Sequence, residues 1–382
     1  TYRAQRRGGK GRAGLSMKDD DFVSDLFVAS THTPILFFTS RGIVHRMKVY
    51  QLPQGNPTSR GKALINLLPL EKDESISVYM RLPEEEEVWD ELDIMFATEH
   101  GTVRRNSLSD FKNIRANGLI AMKLGEDDNL VSVRICREDE DIMLATKLGK
   151  AIRFPATAIR RFAGRYSTGV RGIKLAKGDE VISMSVLRHF ETDPAERNAY
   201  LKAANALRGS EDEELDVSGD DFDLKQDRFD LMQEKEQFLL TVSNKGYGKR
   251  TSAYEYRVSG RGGQGVTNMG LTKKNGGEVV GTFTVTDDHQ VMLVTDKGQL
   301  IRIPVNNVRF TSRSAQGVTL FKVAKDENIV SVAWLIEENN EDDEIDALDA
   351  EGEISEDSVD TSGSPDETKD EVFEESEENN AE

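Results

Sequence analysis

The chain has 382 residues and a formal net charge of −19, a length that allows one large domain or two to three smaller ones. Its single cysteine, Cys136, excludes an intramolecular disulfide framework and fits a reducing compartment. No apolar run nears the roughly 18 to 20 residues needed to cross a bilayer, and no charged-then-apolar export signal opens the chain, so a cytoplasmic protein with no membrane partner is expected.

The first element met is basic and glycine-rich: QRRGGKG at 5–11. After it come five apolar stretches, each with a turn glycine followed four residues later by an arginine. They are FVASTHTPILFFTSRGIVHR, IMFATEHGTVRR, IMLATKLGKAIR, LLTVSNKGYGKR and VMLVTDKGQLIR, ending on Arg46, Arg105, Arg153, Arg250 and Arg302. Apolar and polar residues alternate around the glycine in each, the pattern of a β-hairpin. Interleaved with them is a second element, a glycine followed six positions later by an aliphatic residue, at Gly11, Gly61, Gly118, Gly169, Gly265 and Gly317. An acidic turn and a β-rich stretch follow most copies, as in EDDNLVSVRI and KDENIVSVAWL. The aliphatic residue is expected in the core.

The glycines are spaced 50, 57, 51, 96 and 52 residues apart, a period near 50 with one insertion. Each repeat is predicted to be an antiparallel sheet of about four strands. Such a unit cannot bury both faces alone, so neighbours must stack, and a ring of six leaves only short protected edges. The expected fold class is all-β: a six-bladed β-propeller-like pinwheel over 1–336, its first blade incomplete because one hairpin is missing before the Gly11 copy.

Charge is divided along the chain. Residues 337–382 hold 22 acidic residues against one lysine, and 191–236 hold 15 acidic against 6 basic, which leaves +11 on the remaining 290. The 337–382 tail is too poor in apolar residues to offset the entropy of ordering and is expected to be disordered. Within the acidic insertion at 191–236, Asp193 as N-cap, Pro194 in the first turn and a terminal Gly209 predict a helix over about 194–208. A second, shorter one is expected over about 224–235.

The box Gln5, Arg6, Arg7, Gly8, Gly9, Lys10 and Gly11 resembles the seven-residue box of the DNA gyrase A C-terminal domain, and KVYQLP, INLLPLEKDE, GYGKRT and DENIV are similar to further segments of that family. The resemblance implies a pinwheel that wraps double-stranded DNA around its outer rim, in an enzyme that introduces negative supercoils using ATP and Mg2+. It also implies partners in gyrase B and a second gyrase A, as an A2B2 heterotetramer joined through a region outside this chain. The strand-cleaving tyrosine and the ATP site lie outside it too, so this chain is expected to carry no catalytic residue, metal or cofactor.

Independently of the resemblance, glycines let backbone amides approach phosphate oxygens and arginines add bidentate hydrogen bonds, with little reading of base edges. The candidate DNA-binding cations besides the box are Arg60 and Lys62, Arg115, Arg165 and Arg171, Arg261, and Arg313, one cluster per repeat. Arg46, Arg105, Arg153, Arg250 and Arg302 serve either DNA or an ion pair with the acidic turn of their own repeat, such as Glu74, Asp128, Asp179 or Glu327. Two other readings stand beside the first: the corresponding domain of the decatenating topoisomerase IV, against which the intact box argues, and a β-propeller platform for protein partners, with its basic loops merely solvated.

A flexible polyanion can compete with DNA for a cationic surface. Removing residues 337–382 is therefore expected to strengthen duplex binding at low salt; equal affinities with and without them, measured by titration, reject the competition.

Overall fold

The computed structural model describes residues 29–55, 61–72, 74–209 and 224–336. The box at 5–11, Arg60 and the acidic tail lie outside these residues. In chain order the strands are β1 (Pro34–Thr39), β2 (Ile43–Lys48) and β3 (Ile76–Arg81); β4 (Asp93–Thr98), β5 (Thr102–Ser107), the two-residue β6 (Leu119–Ile120) and β7 (Leu130–Cys136). They continue with β8 (Glu140–Thr146), β9 (Lys150–Pro155), β10 (Val170–Arg171) and β11 (Val181–Arg188). After helices α1 (Pro194–Gly209) and α2 (Gln226–Lys235) come β12 (Phe238–Ser243), β13 (Tyr247–Ser252), β14 (Val266–Thr267) and β15 (Val279–Val285). The last set is β16 (His289–Thr295), β17 (Leu300–Pro304), β18 (Val318–Thr319) and β19 (Ile329–Ile336).

The described residues build five antiparallel sheets, ordered β3-β1-β2-β6, β10-β5-β4-β7, β11-β8-β9-β14, β15-β12-β13-β18 and β17-β16-β19. The predicted hairpins are all present, but the predicted four-stranded repeat is corrected in one respect. A repeat supplies only three strands to its own sheet, and the fourth comes from the repeat that follows. The two residues after motif glycines 118, 169, 265 and 317 pair with the first two residues past the turn glycine of the preceding repeat's hairpin: Leu119 with Val44, Val170 with Val103, Val266 with Ala151 and Val318 with Gly248. Just beyond, the amides of Ala121, Gly172, Asn268 and Leu320 donate to the carbonyls of turn glycines 42, 101, 149 and 246, each at 2.8 Å.

Both glycines at this junction are needed for space as well as for backbone. Gly169 has φ +99° and a Cβ there would lie 2.4 Å from the Val103 carbonyl oxygen; Gly246 has φ +76° and would bring a Cβ to 2.1 Å from that of Phe321. The aliphatic residues six past the motif glycine, Leu67, Leu124, Leu175, Leu271 and Val323, are half-buried. The deeper positions are three and four past it, as at Ala121 with Met122 and Leu320 with Phe321, because the chain dives under the preceding hairpin before it turns outward.

β3, β7, β11, β15 and β19 pack against one another in succession, so the third strand of every repeat forms the inner side. The second hairpin strand and its borrowed partner therefore form the outer edge. Apolar clusters lie between consecutive sheets: Leu36, Phe38, Val44 and Met80 meet Ile94, Phe96, Leu108 and Phe111, with Phe38 and Phe96 edge to face at 5.7 Å. The insertion folds against the fourth sheet. The Glu196 amide donates to the Asp193 carboxylate at 2.8 Å as the N-cap of α1, and Tyr200, Ala203, Phe229 and Met232 bury Tyr254 after β13.

Gly178 offers a control for the junction glycines, since it has φ +77° but nothing within 4 Å of a Cβ. Gly178→Ala is expected to cost about 1 to 2 kcal/mol, the left-handed penalty alone, and Gly169→Ala distinctly more; urea denaturation giving equal losses would contradict the strand-lending junction.

Candidate nucleic-acid interface

From the end of one hairpin to the next motif glycine the chain crosses the outer edge of the preceding sheet. It is fastened at the start of this crossing by the amides of Phe162, Ser259 and Thr311, which donate to the carbonyls of Arg105, Arg153 and Arg250 at 2.8 to 2.9 Å. The borrowed strand fastens the other end. The loop between carries Arg115, Arg165, Arg261 and Arg313, whereas Arg171 lies in β10 and Lys62 has no sheet before it among the described residues. Lys62, Arg115, Arg171 and Arg261 are exposed, and Arg165 and Arg313 half-buried. Three of them also reach back by one repeat: Arg165 Nη1 donates to the Asp110 carbonyl (3.1 Å), Arg261 to those of Ala158 (3.1 Å) and Arg171 (3.0 Å), and Arg313 Nη1 to that of Thr267 (3.0 Å). A guanidinium has five N–H donors, so such a contact leaves others for an external anion. Reading the sequence missed three lysines, Lys123, Lys174 and Lys322, all exposed and all five residues past a motif glycine. Their shared offset was the available signal.

The arginines four past the turn glycine lie elsewhere. Arg105 and Arg153 are 4% exposed and Arg250 5%. Arg105 pairs with Asp93 (3.2 Å) and Glu138 (3.4 Å), Arg153 with Asp141 (2.8 Å), and Arg250 with Asp287. Arg46, half-buried, pairs with Glu86 and lies over the Trp89 ring at 5.2 Å; Arg302 is half-buried. The expected partners are corrected: the acids are those at the start of the hairpin or in the link after the third strand, not the acidic turn. The turn acids hold the hairpin turn instead, where Asp128 accepts from the His100 amide (3.0 Å) and Asp179 from that of Leu148 (2.9 Å). Asp93 also takes Arg161 at 2.7 Å; burial pushes its carboxyl up, opposed by Arg161 and Arg105.

Two further cations went unnoticed because each directly precedes one of these arginines. Arg104 and Lys249 are 0% exposed. Arg104 donates to Asn106 Oδ1 (2.8 Å) and to the carbonyls of Gly164, Arg165 (2.9 Å) and Ser167, and Lys249 Nζ to those of Ser312 (2.7 Å) and Arg313 (2.6 Å). Burial lowers the Lys249 amine to about 7, helped by the Arg313 guanidinium and opposed by Glu255.

Among the described residues no group of three or more His, Cys, Asp or Glu is placed to hold a metal.

Fold and surface together define a β-propeller whose outer edge carries a cationic loop at each described junction between repeats. A family model for the DNA gyrase C-terminal domain, beta-propeller, matches residues 1–30, 33–78, 92–137, 140–188, 237–286 and 289–333. The DNA gyrase A protein of Granulibacter bethesdensis is 51% identical over 364 residues, and that of Rickettsia prowazekii 48% over 354, covering 91% and 92% of this chain and 39% of each relative. The chain thus spans about two fifths of the length of these curated relatives. A solved DNA gyrase A C-terminal domain superposes with a TM-score of 0.66 at 22% identity, over 88% of this chain and 93% of that one, a likeness of fold. The chain belongs to the family of DNA gyrase C-terminal β-propeller domains.

Lys249 makes stability depend on pH in a stated direction. Its folded pKa of about 7 lies below the ordinary 10.5, so between these values the unfolded chain holds a proton that the folded chain has lost. Stability should therefore rise with pH across that window and be level, for this group, below it. The unfolding free energy of the wild type relative to Lys249→Met is expected to increase from pH 7 to pH 9; a constant difference rejects the assignment.

Proposed function

We propose that this chain binds double-stranded DNA and wraps it around the outer edge of the propeller, as the C-terminal domain of a DNA gyrase A protein. The observation that carries the reading is the repeated exposure of cations: Arg115 and Arg261 on the outer crossings, Arg171 on a lent strand, and Lys123, Lys174 and Lys322 in the links just past the lent strands. In the whole enzyme, a cytoplasmic A2B2 assembly with gyrase B, wrapping presents a crossing of fixed sign to the strand-passage machinery, and ATP hydrolysis there drives negative supercoiling. This chain supplies the wrap and none of the bond chemistry.

The physics is that of phosphate neutralisation. Each lysine or arginine contact releases counterions, so a surface making about 6 to 10 of them loses roughly 10³ to 10⁵ in affinity between 50 and 200 mM salt. Bending 20 to 30 base pairs by 40 to 90° costs on the order of 1 to 6 kcal/mol, which a single basic patch cannot offset along a curved path. Cations repeated at every junction meet the duplex each time it advances by one blade. Lysine and arginine side chains at this edge meet phosphates and not base edges, so binding is weakly selective for sequence. The box carries the densest charge, three cations in seven residues, and sets where the wrap begins or ends.

Neutralising Arg6, Arg7 and Lys10 together is expected to abolish the writhe trapped when relaxed plasmid is ligated on the protein, while much of the salt-dependent binding to linear duplex remains. Writhe that survives the triple change removes the box as anchor, and a wild-type chain that does not retard duplex DNA at low salt removes the wrapping function itself.

A further inference from the structure

The residue three past the turn glycine faces the outer loop of the following repeat in the first four described hairpins, and it differs among them: His45, Arg104, Ile152 and Lys249. Where it is a cation, the cation is fully buried and does the same thing twice with different chemistry. Arg104 takes the carbonyls of Gly164 and Arg165, and Lys249 those of Ser312 and Arg313. These residues stand five and four before their motif glycines, Gly169 and Gly317. The second carbonyl of each pair belongs to a half-buried arginine of the loop, Arg165 or Arg313. Where the position is Ile152, the loop above it is GRGGQG, and a cleft of about 340 Å³ lined by Ile152, Arg257, Ser259, Gly260 and Gly263 lies beneath.

We propose that Arg104 and Lys249 are positioning residues for DNA: each is an internal tether that holds the outer loop of the following repeat by its backbone, so that Arg165 and Arg313 meet a phosphate already ordered. The inference rests on the wrapping function. An ordered loop binds without the entropy loss of immobilising a flexible one. The glycine-rich loop over Ile152 is held without a buried cation, by Arg261 on the carbonyls of Ala158 and Arg171 and by the Gly262 amide on that of Gly172 (2.6 Å). A cation lies beneath the loop at Arg104 and Lys249 and is replaced by His45 and Ile152 at the other two hairpins. Neither tether ends on a carboxylate: both grip backbone carbonyls, with Asp110 near Arg104 and Glu255 near Lys249.

The test uses the whole chain at pH 6.5 with Lys249→Met, Lys249→Arg, Arg313→Ala and the Lys249→Met/Arg313→Ala pair; Arg104→Met and Arg104→Lys repeat it at the other tether, and Lys249→Gln replaces the methionine variant should that fail to fold. Amide hydrogen exchange of residues 311–316 is expected to quicken by about tenfold or more in Lys249→Met, the loss of a charged hydrogen bond. The slope of log affinity against log salt should become shallower by about one. Lys249→Arg should restore both, and Lys249→Met should add nothing to the slope change of Arg313→Ala. A wild-type slope in Lys249→Met, or an arginine variant that behaves as the methionine one, overturns the tether, as does an additive pair. Failure of the wild type to bind duplex DNA would instead overturn the function on which the tether rests.

Discussion

Every described junction in this propeller is closed by a two-residue strand lent backwards. The lent strand makes few hydrogen bonds, yet it fixes how one repeat stands on the one before, because the amide beyond it lands on the turn-glycine carbonyl at the same 2.8 Å in all four described cases. Two glycines make this approach: one turns the hairpin, the other admits the crossing chain to within contact of the hairpin backbone. A side chain at either would need the space a carbonyl occupies. The long crossings over the outer edge exist because the lent strand must reach the preceding sheet, and the cationic loops are those crossings. Architecture and binding surface are thus one consequence of one connection.

The positive charge of the chain is sorted by strand geometry. Successive strand residues point to opposite faces, and here both faces of a sheet are covered by neighbouring repeats. Adjacent cations such as Arg104 and Arg105, or Lys249 and Arg250, are therefore both buried, one against the loop of the next repeat and the other against an acid. Arg153 is buried and turned inward, where it meets Asp141 and the carbonyls of Ala253 and Arg188. The exposed positive charge lies instead on cations such as Arg115 and Arg261 of the crossings.

The period, the hairpins and the helical insertion could be read from the residues because their causes are local: glycine at a turn, alternation along a strand, Asp193 and Pro194 at a helix start. The lent strand could not, since Val170-Arg171 reads like any other two residues and its partner Val103 is 67 positions away. The arginine four past each turn glycine was legible as a repeated charge but not as a buried one, because burial depends on the neighbouring repeat. Its partner was misplaced for the same reason: Asp128 and Asp179 are near in sequence and of the right sign, yet the hairpin turn claims them first. Arg104 and Lys249 were hidden by proximity to that more conspicuous repeat, and Lys123, Lys174 and Lys322 by falling outside any glycine-rich stretch.

The loops are held from both directions by the repeat before them. Lys249 of the fourth repeat grips carbonyls in the fifth, while Arg313 of the fifth reaches back to the Thr267 carbonyl of the fourth. Arg104 and Arg165 do the same between the second and third. A phosphate drawn to Arg165 or Arg313 therefore pulls on a junction between two sheets and not on one sheet alone. On the proposed function, a stiff duplex bent along this edge would push outward wherever it was held, and that load would pass through the tether and the lent strand into the apolar clusters between sheets. Cations at the junctions would then let the interfaces that stabilise the propeller also resist the bent duplex.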